Sequence, residues 1–156
     1  MPPIENIRGE IDYETVRDNL RARLRSIILH YYGNLHDYLV CGSLDKSEIN
    51  LGCFITWGEI VTDILPLKPI FKTQVREIAK VMRIGFIAQR SPLTRSFHRI
   101  FGRRLPVSLE NLDSILLGIE KKWSNEKIAE DLGVSLKIVE TIRETVERNK
   151  YRTSFI

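Results

Sequence analysis

The chain has 156 residues, of which 43% are hydrophobic, 24 are basic and 20 are acidic, so its size matches one domain with a sizeable core. No run of 18 apolar residues is present, and the first five residues have neither a basic nor an apolar region; we therefore expect no membrane span, no secretory signal and a cytoplasmic protein. Two cysteines and three histidines are too few for a zinc set or a disulfide framework.

The positive charge is concentrated in one segment. Residues 78–109 contain seven basic side chains and no acidic one, whereas the rest of the chain has more acidic than basic residues. Arginine alternates in this segment with Phe86, Phe97 and Phe101, a combination that suits contact with phosphate and stacked bases. Any anionic partner is expected to dock here, although the same charge could neutralise an acidic protein surface.

Apolar residues recur at helical spacing over residues 14–32 and predict a long amphipathic helix. Arg17, Arg21 and Arg25 lie on its opposite face, and Gly33 is placed where the helix would end. The apolar residues are Val16, Leu20, Leu24, Ile27, Ile28 and Tyr31. They offer more apolar surface than a small sheet can cover, which favours an oligomer.

The segment Tyr38–Cys41 predicts a short buried strand, and Asp63–Leu67 is a second short apolar segment that predicts another strand. Cys41 is expected to be a buried structural cysteine because it continues the first of these segments. Residues 42–43 then turn the chain into a helix that is predicted to begin near residue 45 or 46. A strand that leads into a helix N-terminus is where α/β folds place phosphate groups.

The sequence after these segments predicts one further helix and then a basic loop. The helix covers Lys72–Met82, and the loop covers Arg83–Pro106 with one short helix around Arg95–Phe101.

The last third predicts a helical bundle over residues 107–150. Each of its three helices has an apolar period that follows a capping serine, and these serines are Ser108, Ser124 and Ser135. Gly133 is expected to end the second of these helices. Residues 1–12 and 151–156 are expected to be a flexible N-terminus and a tail.

Several short motifs occur in the order found in a known enzyme family. Gly42–Glu48 reads Gly-Ser-Leu-Asp-Lys-Ser-Glu, and Asn19–Arg25 reads Asn-Leu-Arg-Ala-Arg-Leu-Arg. From about Asn19 to Lys150, the chain resembles the ammonia-dependent NAD synthetases. The resemblance implies a predominantly helical α/β fold, part of the doubly wound adenine-nucleotide alpha-hydrolase-like fold, with few short parallel strands and a C-terminal helical bundle. Within a single domain over 1–156, residues 13–82 would carry the nucleotide-site-like half.

The resemblance also implies ligands for individual residues. ATP would be bound by Arg25, Ser43 and Lys72, and magnesium by Glu48. Deamido-NAD would be bound by Asn19, Glu59, Asp63 and Lys150. The residues themselves leave simpler alternatives open. The arginines suit the solvated face of an amphipathic helix, and Lys72 suits a solvated helix start, where the helix dipole disfavours a cation unless an anion is present.

The chain departs from the family where the substrate would react. The family's pyrophosphate-binding motif Ser-Gly-Gly-x-Asp-Ser does not occur in the 156 residues, Thr56 stands where the family has lysine, and Ile60 where it has glycine. A β-branched residue cannot adopt the backbone conformations that glycine allows. We therefore expect a member of this ligase family that does not turn over alone, either one half of a split synthetase or a pseudoenzyme.

The resemblance implies two kinds of partner. The family dimerises through the helix that contains Asn19–Arg25, so a homodimer is expected. A second polypeptide would supply the missing N-terminal half of the site.

A function from another class is also open. Ser124–Val139 has the form of a helix-turn-helix, with Ala129, Gly133 and Val139 at the packing and turn positions, and together with the basic segment it could belong to a nucleic-acid-binding protein. The candidate recognition helix mixes acidic with basic residues, whereas such helices usually have a basic surplus. Structural packing is therefore favoured over nucleic-acid readout.

Overall fold

The computed structural model describes residues 13–85 and 107–153, and this part of the chain is predominantly helical. Its helices are α1 (Tyr13–His36), α2 (Lys46–Leu51), α3 (Lys72–Val81), α4 (Leu109–Glu120), α5 (Asn125–Leu132) and α6 (Leu136–Thr153). None of these described helices is long and apolar enough to cross a membrane. Most of the arginine-rich segment, with its expected short helix, lies outside the described residues, as do residues 1–12.

The two predicted strands are reduced to a single parallel bridge between Cys41 and Ile64. The Asp63 N–H donates to Val40 O at 2.9 Å, and the Gly42 N–H donates to Ile64 O at 2.9 Å. The pairing is short because the Val40 N–H donates to the Asp63 side chain at 2.7 Å and Pro66, which cannot donate, follows closely. The parallel direction agrees with the prediction, but no longer strand occurs in the described residues, so the doubly wound sheet stays a prediction.

Helix α1 continues three residues beyond Gly33, so the expected end at this glycine is wrong. Gly33 is buried, and a Cβ atom there would lie 3.1 Å from Tyr38 O and 3.2 Å from Val40 Cγ2. The Tyr38 N–H also donates to Gly33 O at 2.8 Å. Glycine therefore permits the close approach of the next segment, and the left-handed residue that follows the helix is Asp37, with φ 57°.

The packing of α1 is opposite to that of an ordinary amphipathic helix. Its buried residues are small: Ala22, Ser26 and Gly33. Its large apolar side chains are exposed instead, and these are Tyr13, Val16, Leu20, Leu24, Ile27, Ile28, Leu29, Tyr31, Tyr32 and Leu35. Seven of these residues lie on the side of the helix that faces away from the buried small residues. We call them the α1 apolar face, and they are Val16, Leu20, Leu24, Ile27, Ile28, Tyr31 and Leu35.

The C-terminal helices share one apolar core with the ends of α2 and α3. The buried members are Leu51, Cys53, Phe71, Leu109, Leu112, Ile115, Leu116, Ile128, Val139 and Ile142. The predicted caps are confirmed at α4 and α5, where Ser108 Oγ accepts the Asn111 N–H at 3.1 Å and Ser124 Oγ accepts the Lys127 N–H at 3.2 Å. Gly133, with φ 61°, ends α5 as predicted.

Helix α6 extends through Thr153, so its last turn includes residues that were expected to belong to the tail. Asn149 is buried, and its side-chain N–H donates to Leu51 O at 3.0 Å. Arg152 donates to Gly52 O at 3.2 Å and to Phe54 O at 3.1 Å. The last turn of α6 is therefore held by the carbonyl groups at the C-terminus of α2 and in the loop after it.

Candidate functional site

A cleft of about 340 Å³ lies between α1 and two loop segments. One wall is the middle of α1, and the other walls are the turn after Val40 and the segment before Asp63. The lining residues are Ala22, Arg25, Ser26, Leu29, Cys41, Gly42, Ser43, Gly58, Glu59, Val61 and Thr62. The cleft thus combines one cation, one carboxylate, a thiol and three hydroxyl groups.

Small residues bring the walls of this cleft together. A Cβ atom on Gly42 would lie 2.6 Å from Leu65 Cδ2 and 2.8 Å from Thr62 Oγ1, so no larger residue fits at this turn without a shift. A Cβ atom on Gly58 would lie 3.3 Å from the Ala22 Cβ, so the loop lies directly on α1. Thr62 Oγ1 is buried and has no hydrogen-bond partner among residues 13–85 and 107–153, which leaves a polar atom beside the cleft.

The loop that carries Gly58 and Glu59 is held from two sides. From α6, Arg152 donates to Thr56 Oγ1 at 3.2 Å and stacks over the Phe54 ring at 4.7 Å. From α1, Arg23 Nε donates to Thr56 O at 3.4 Å. Within the loop, Glu59 Oε2 accepts the Ile55 N–H at 3.0 Å. The carboxylate of Glu59 is therefore fixed at the edge of the cleft.

Trp57, in the same loop, has an unusual conformation. Its φ is 61°, in the left-handed region that bulky residues rarely adopt, and its side chain is 74% exposed. Strained backbone of this kind persists only where the surroundings fix it. The contacts of Arg152 and Arg23 with the preceding residue supply that restraint.

A buried ion cluster lies at the N-termini of α2 and α3. Lys72 Nζ lies 2.6 Å from Asp45 Oδ2 and 3.1 Å from Glu48 Oε1, and the exposed fractions of the Lys72, Asp45 and Glu48 side chains are 15%, 3% and 11%. Asp45 and Glu48 also form the capping box of α2. We call these three residues the Lys72 cluster.

The pKa values in this cluster follow from one ammonium group serving two carboxylates. Burial, followed by repulsion from Asp45, raises the pKa of Glu48 above its usual value, and the attraction of Lys72 offsets this only in part. Burial alone would lower the pKa of Lys72, but attraction to Glu48 and Asp45 outweighs it and raises that pKa. Lys72 therefore remains charged throughout the physiological range.

A second buried network ties α2, α3 and α4 together. The Ser47 hydroxyl donates to Asp113 Oδ1 at 2.5 Å, and Ser47 Oγ accepts the Lys72 N–H at 2.9 Å. Asp113 Oδ2 accepts the Thr73 N–H at 2.8 Å. The carboxylate of Asp113 thus lies at the N-terminus of α3, where the helix dipole favours a negative charge.

The structure brings three of the residues assigned by resemblance into the cleft: Arg25, Ser43 and Glu59. Lys72 and Glu48 lie together in the Lys72 cluster and contact each other. Cys41 was expected to be buried, but it is exposed and lines the cleft. The prediction failed because the segment around Cys41 pairs at one point only and leaves the thiol uncovered.

The remaining assigned residues do not line the cleft. Asn19 is a half-buried residue of α1 outside the cleft lining. Asp63 is exposed, and its carboxylate accepts the Val40 N–H at 2.7 Å. Lys150 lies on the exposed side of α6, 2.6 Å from Glu147.

Sequence reasoning missed Arg152, Asn149 and Asp113, although these residues position the loop and the start of α3. Asp113 and Asn149 are polar residues at inward positions of apolar helical periods, and such residues are buried only with partners. Their positions in the sequence could therefore have indicated that both are buried and hydrogen-bonded. Arg152 had no such indication, because its partners are carbonyl groups about 100 residues away in the sequence.

The helix-turn-helix pattern is confirmed as a pair of helices, α5 and α6. Arg143, one of the basic residues of the candidate recognition helix, donates to Asn125 Oδ1 at 2.5 Å and to Trp123 O at 2.6 Å. Glu140, Glu144 and Glu147 lie on the exposed surface of α6. These contacts and charges favour packing over binding to phosphate.

The described residues do not fit a magnesium ion by themselves. Over residues 13–85 and 107–153, no three His, Cys, Asp or Glu side chains are arranged to hold a metal ion. The assigned ligand, Glu48, is mostly buried and contacts an ammonium group.

The fold is similar to that of two solved synthetases. NMN synthetase from Francisella tularensis matches with a TM-score of 0.68 at 21% identity, over 92% of this chain and 56% of that protein. The NH3-dependent NAD synthetase from Campylobacter jejuni matches with a TM-score of 0.66 at 21% identity, over 92% of this chain and 55% of that protein. Both likenesses concern the fold.

The sequence comparison identifies the family. The NAD synthase family profile matches residues 4–155. The NH3-dependent NAD+ synthetase from Staphylothermus marinus is 35% identical over 146 residues, which cover 91% of this chain and 53% of that protein. The chain therefore belongs to the NAD synthase family, as the motifs predicted. It spans about half the length of curated relatives that it matches.

Proposed function

We propose that this chain takes part in NAD biosynthesis as a nucleotide-binding portion of an NH3-dependent NAD synthetase. The observation that carries the proposal is the convergence of Arg25, Ser43 and Glu59 on one cleft. These residues come from three separate segments, and the family resemblance had assigned each of them to a substrate.

The side chains in the cleft suit a nucleotide. The guanidinium group of Arg25 matches phosphate in charge and geometry. Ser43 can donate or accept a hydrogen bond, and Glu59 accepts from hydroxyl or amide groups. In the proposed reaction, ATP adenylates the carboxylate of deamido-NAD with release of pyrophosphate, and ammonia then displaces AMP. The roles of Lys72, Asn19, Asp63 and Lys150 in this reaction stay predictions.

We further propose that turnover requires residues beyond these 156. Stabilisation of a triphosphate depends on backbone N–H groups and cations around it, and the Ser-Gly-Gly-x-Asp-Ser motif is absent from the printed sequence. A second polypeptide that carries this motif would complete the site. A pseudoenzyme that retains binding without catalysis is the alternative. Conversion of deamido-NAD to NAD by the purified chain alone would contradict both.

A homodimer is also proposed, because the α1 apolar face is exposed in a single chain. Contiguous exposed apolar surface of this kind marks interaction sites. The adjacent cleft uses the other side of the same helix, so association would leave Arg25 free to bind.

Calorimetric titration with ATP and magnesium tests the nucleotide site. Saturable binding is expected for the wild type. Arg25→Ala should weaken it about tenfold or more, since a hydrogen bond to a charged group contributes roughly 1.5–3 kcal/mol. Arg21→Ala is the matched control, because Arg21 lies on the same helix, contacts Asp18 and does not line the cleft. Absence of binding by the wild type, or equal losses in both variants, would contradict the proposed site.

A further inference from the structure

The hydrogen bonds of the Lys72 cluster leave no carboxylate oxygen without a donor. Asp45 Oδ1 accepts the Glu48 N–H at 2.9 Å, and Glu48 Oε2 accepts the Asp45 N–H at 3.2 Å. The other two oxygens, Asp45 Oδ2 and Glu48 Oε1, contact Lys72 Nζ. The capping box of α2 and the ion pair with α3 therefore share both carboxylates.

A hydrated magnesium ion needs a different environment. Magnesium requires an octahedral shell of oxygens at about 2.0–2.1 Å and usually keeps several of its waters. The carboxylates here are almost completely buried, and an ammonium group already lies between them. A divalent cation beside Glu48 would also be repelled by that ammonium group at short range.

We propose that Lys72 is the resident counter-ion of the Asp45–Glu48 pair and that Glu48 does not hold magnesium in this protein. The cluster fastens the N-terminus of α2 to that of α3. It also explains a lysine at the first position of a helix, where the dipole disfavours a cation: the two carboxylates supply the compensating negative charge.

A metal titration without nucleotide tests the proposal directly. Mn²⁺ replaces Mg²⁺ as a paramagnetic probe, and free Mn²⁺ is followed by electron paramagnetic resonance in the wild type and in Glu48→Gln. Glutamine can still accept the Asp45 N–H in a capping box, so this variant is expected to fold. The wild type and Glu48→Gln are expected to give the same free-Mn²⁺ signal, without saturable binding up to millimolar Mn²⁺. Saturable binding by the wild type that Glu48→Gln abolishes would overturn the proposal.

Thermal unfolding tests whether the three charges act together. Lys72→Met leaves two buried carboxylates without a cation, and removal of one partner from a buried pair should lower Tm by about 6 °C or more. Adding Glu48→Gln to Lys72→Met should restore at least half of that loss. Lys80→Met is the matched control on α3, because Lys80 forms an exposed pair with Glu77.

Two results of this experiment would overturn the proposal. One is a Lys72→Met variant that is no less stable than Lys80→Met, and the other is a loss that Glu48→Gln does not reduce. If Lys72→Met does not fold, the double variant and the Mn²⁺ titration still decide the question. None of these measurements uses ATP, so failure of the cleft to bind nucleotide would count against the proposed function and not against the counter-ion.

Discussion

At the residue scale, Glu48 gives the protein a specific pH dependence. Burial and repulsion from Asp45 raise the pKa of Glu48 in the folded state above its ordinary value of 4.5. The folded protein therefore binds this proton more tightly than the unfolded chain, and the contribution of Glu48 to stability falls as the pH rises through the folded-state pKa. Glu48→Gln cannot titrate and should lose this dependence. Urea unfolding at several pH values measures the difference between the free energies of unfolding of Glu48→Gln and the wild type.

The difference should grow in favour of Glu48→Gln as the pH rises above 4.5 and then level off. Glu77→Gln is the control, because Glu77 is an exposed carboxylate on α3 that pairs with Lys80. Its curve gives the baseline for replacing an exposed carboxylate by an amide. A Glu48→Gln curve that is parallel to that of the wild type would show that Glu48 has no raised pKa.

At the element scale, the end of α6 should fix the loop beside the cleft. Arg152 donates to three acceptors in the segment Gly52–Thr56 and stacks on Phe54, so Arg152→Ala should destabilise the protein by about 2 kcal/mol. Arg148→Ala, an exposed position on the same helix, should change stability by less than about 0.5 kcal/mol. Urea unfolding of both variants measures the difference.

Trp57 reports on the same loop. In a Trp123→Phe background, Trp57 is the one tryptophan of the chain. Its emission should change in Arg152→Ala while the protein is still folded and should stay constant in Arg148→Ala. An unchanged emission together with equal unfolding free energies would show that Arg152 does not hold this loop.

The elements show which features a sequence can predict. Caps such as Ser108, Ser124 and Gly133 act within one turn of their own position, so local patterns located α4 and α5 correctly. Gly33 was misjudged because its reason is a contact with a later segment, not the end of a helix. The lengths of the two strands were overestimated for a similar reason. An apolar run predicts burial, but the number of paired residues depends on neighbours outside the run.

The same distinction holds for the candidate site. The motifs assigned Arg25, Ser43 and Glu59 to substrates, and all three line one cleft; their roles stay predictions. The motifs could not reveal that Lys72 and Glu48 contact each other, because this pairing depends on how the starts of α2 and α3 meet in space. The loop clamp by Arg152 is hidden in the same way by its sequence separation.

At the scale of the whole molecule, α1 presents its large apolar residues to solvent and its small ones to the rest of the chain. Apolar surface favours burial at about 25 cal/mol per Å², so a row of exposed leucine and isoleucine side chains favours association. Two copies related by a two-fold axis would bring the same face of α1 together. Ala22 and Ser26, on the other side of α1, would keep their places in the cleft when two copies associate.

Leu24→Glu tests this association, because Leu24 lies within the α1 apolar face and is exposed in the single chain. The wild type should sediment at twice the mass of one chain, and a buried charge should weaken the dimer about 30-fold or more. Val81→Glu is the matched control, since Val81 is also an exposed apolar residue, at the end of α3 and outside this face. Analytical ultracentrifugation over a concentration series separates the cases. A monomeric wild type, or equal dissociation in both variants, would exclude α1 as the dimer interface and leave its apolar face to a different polypeptide.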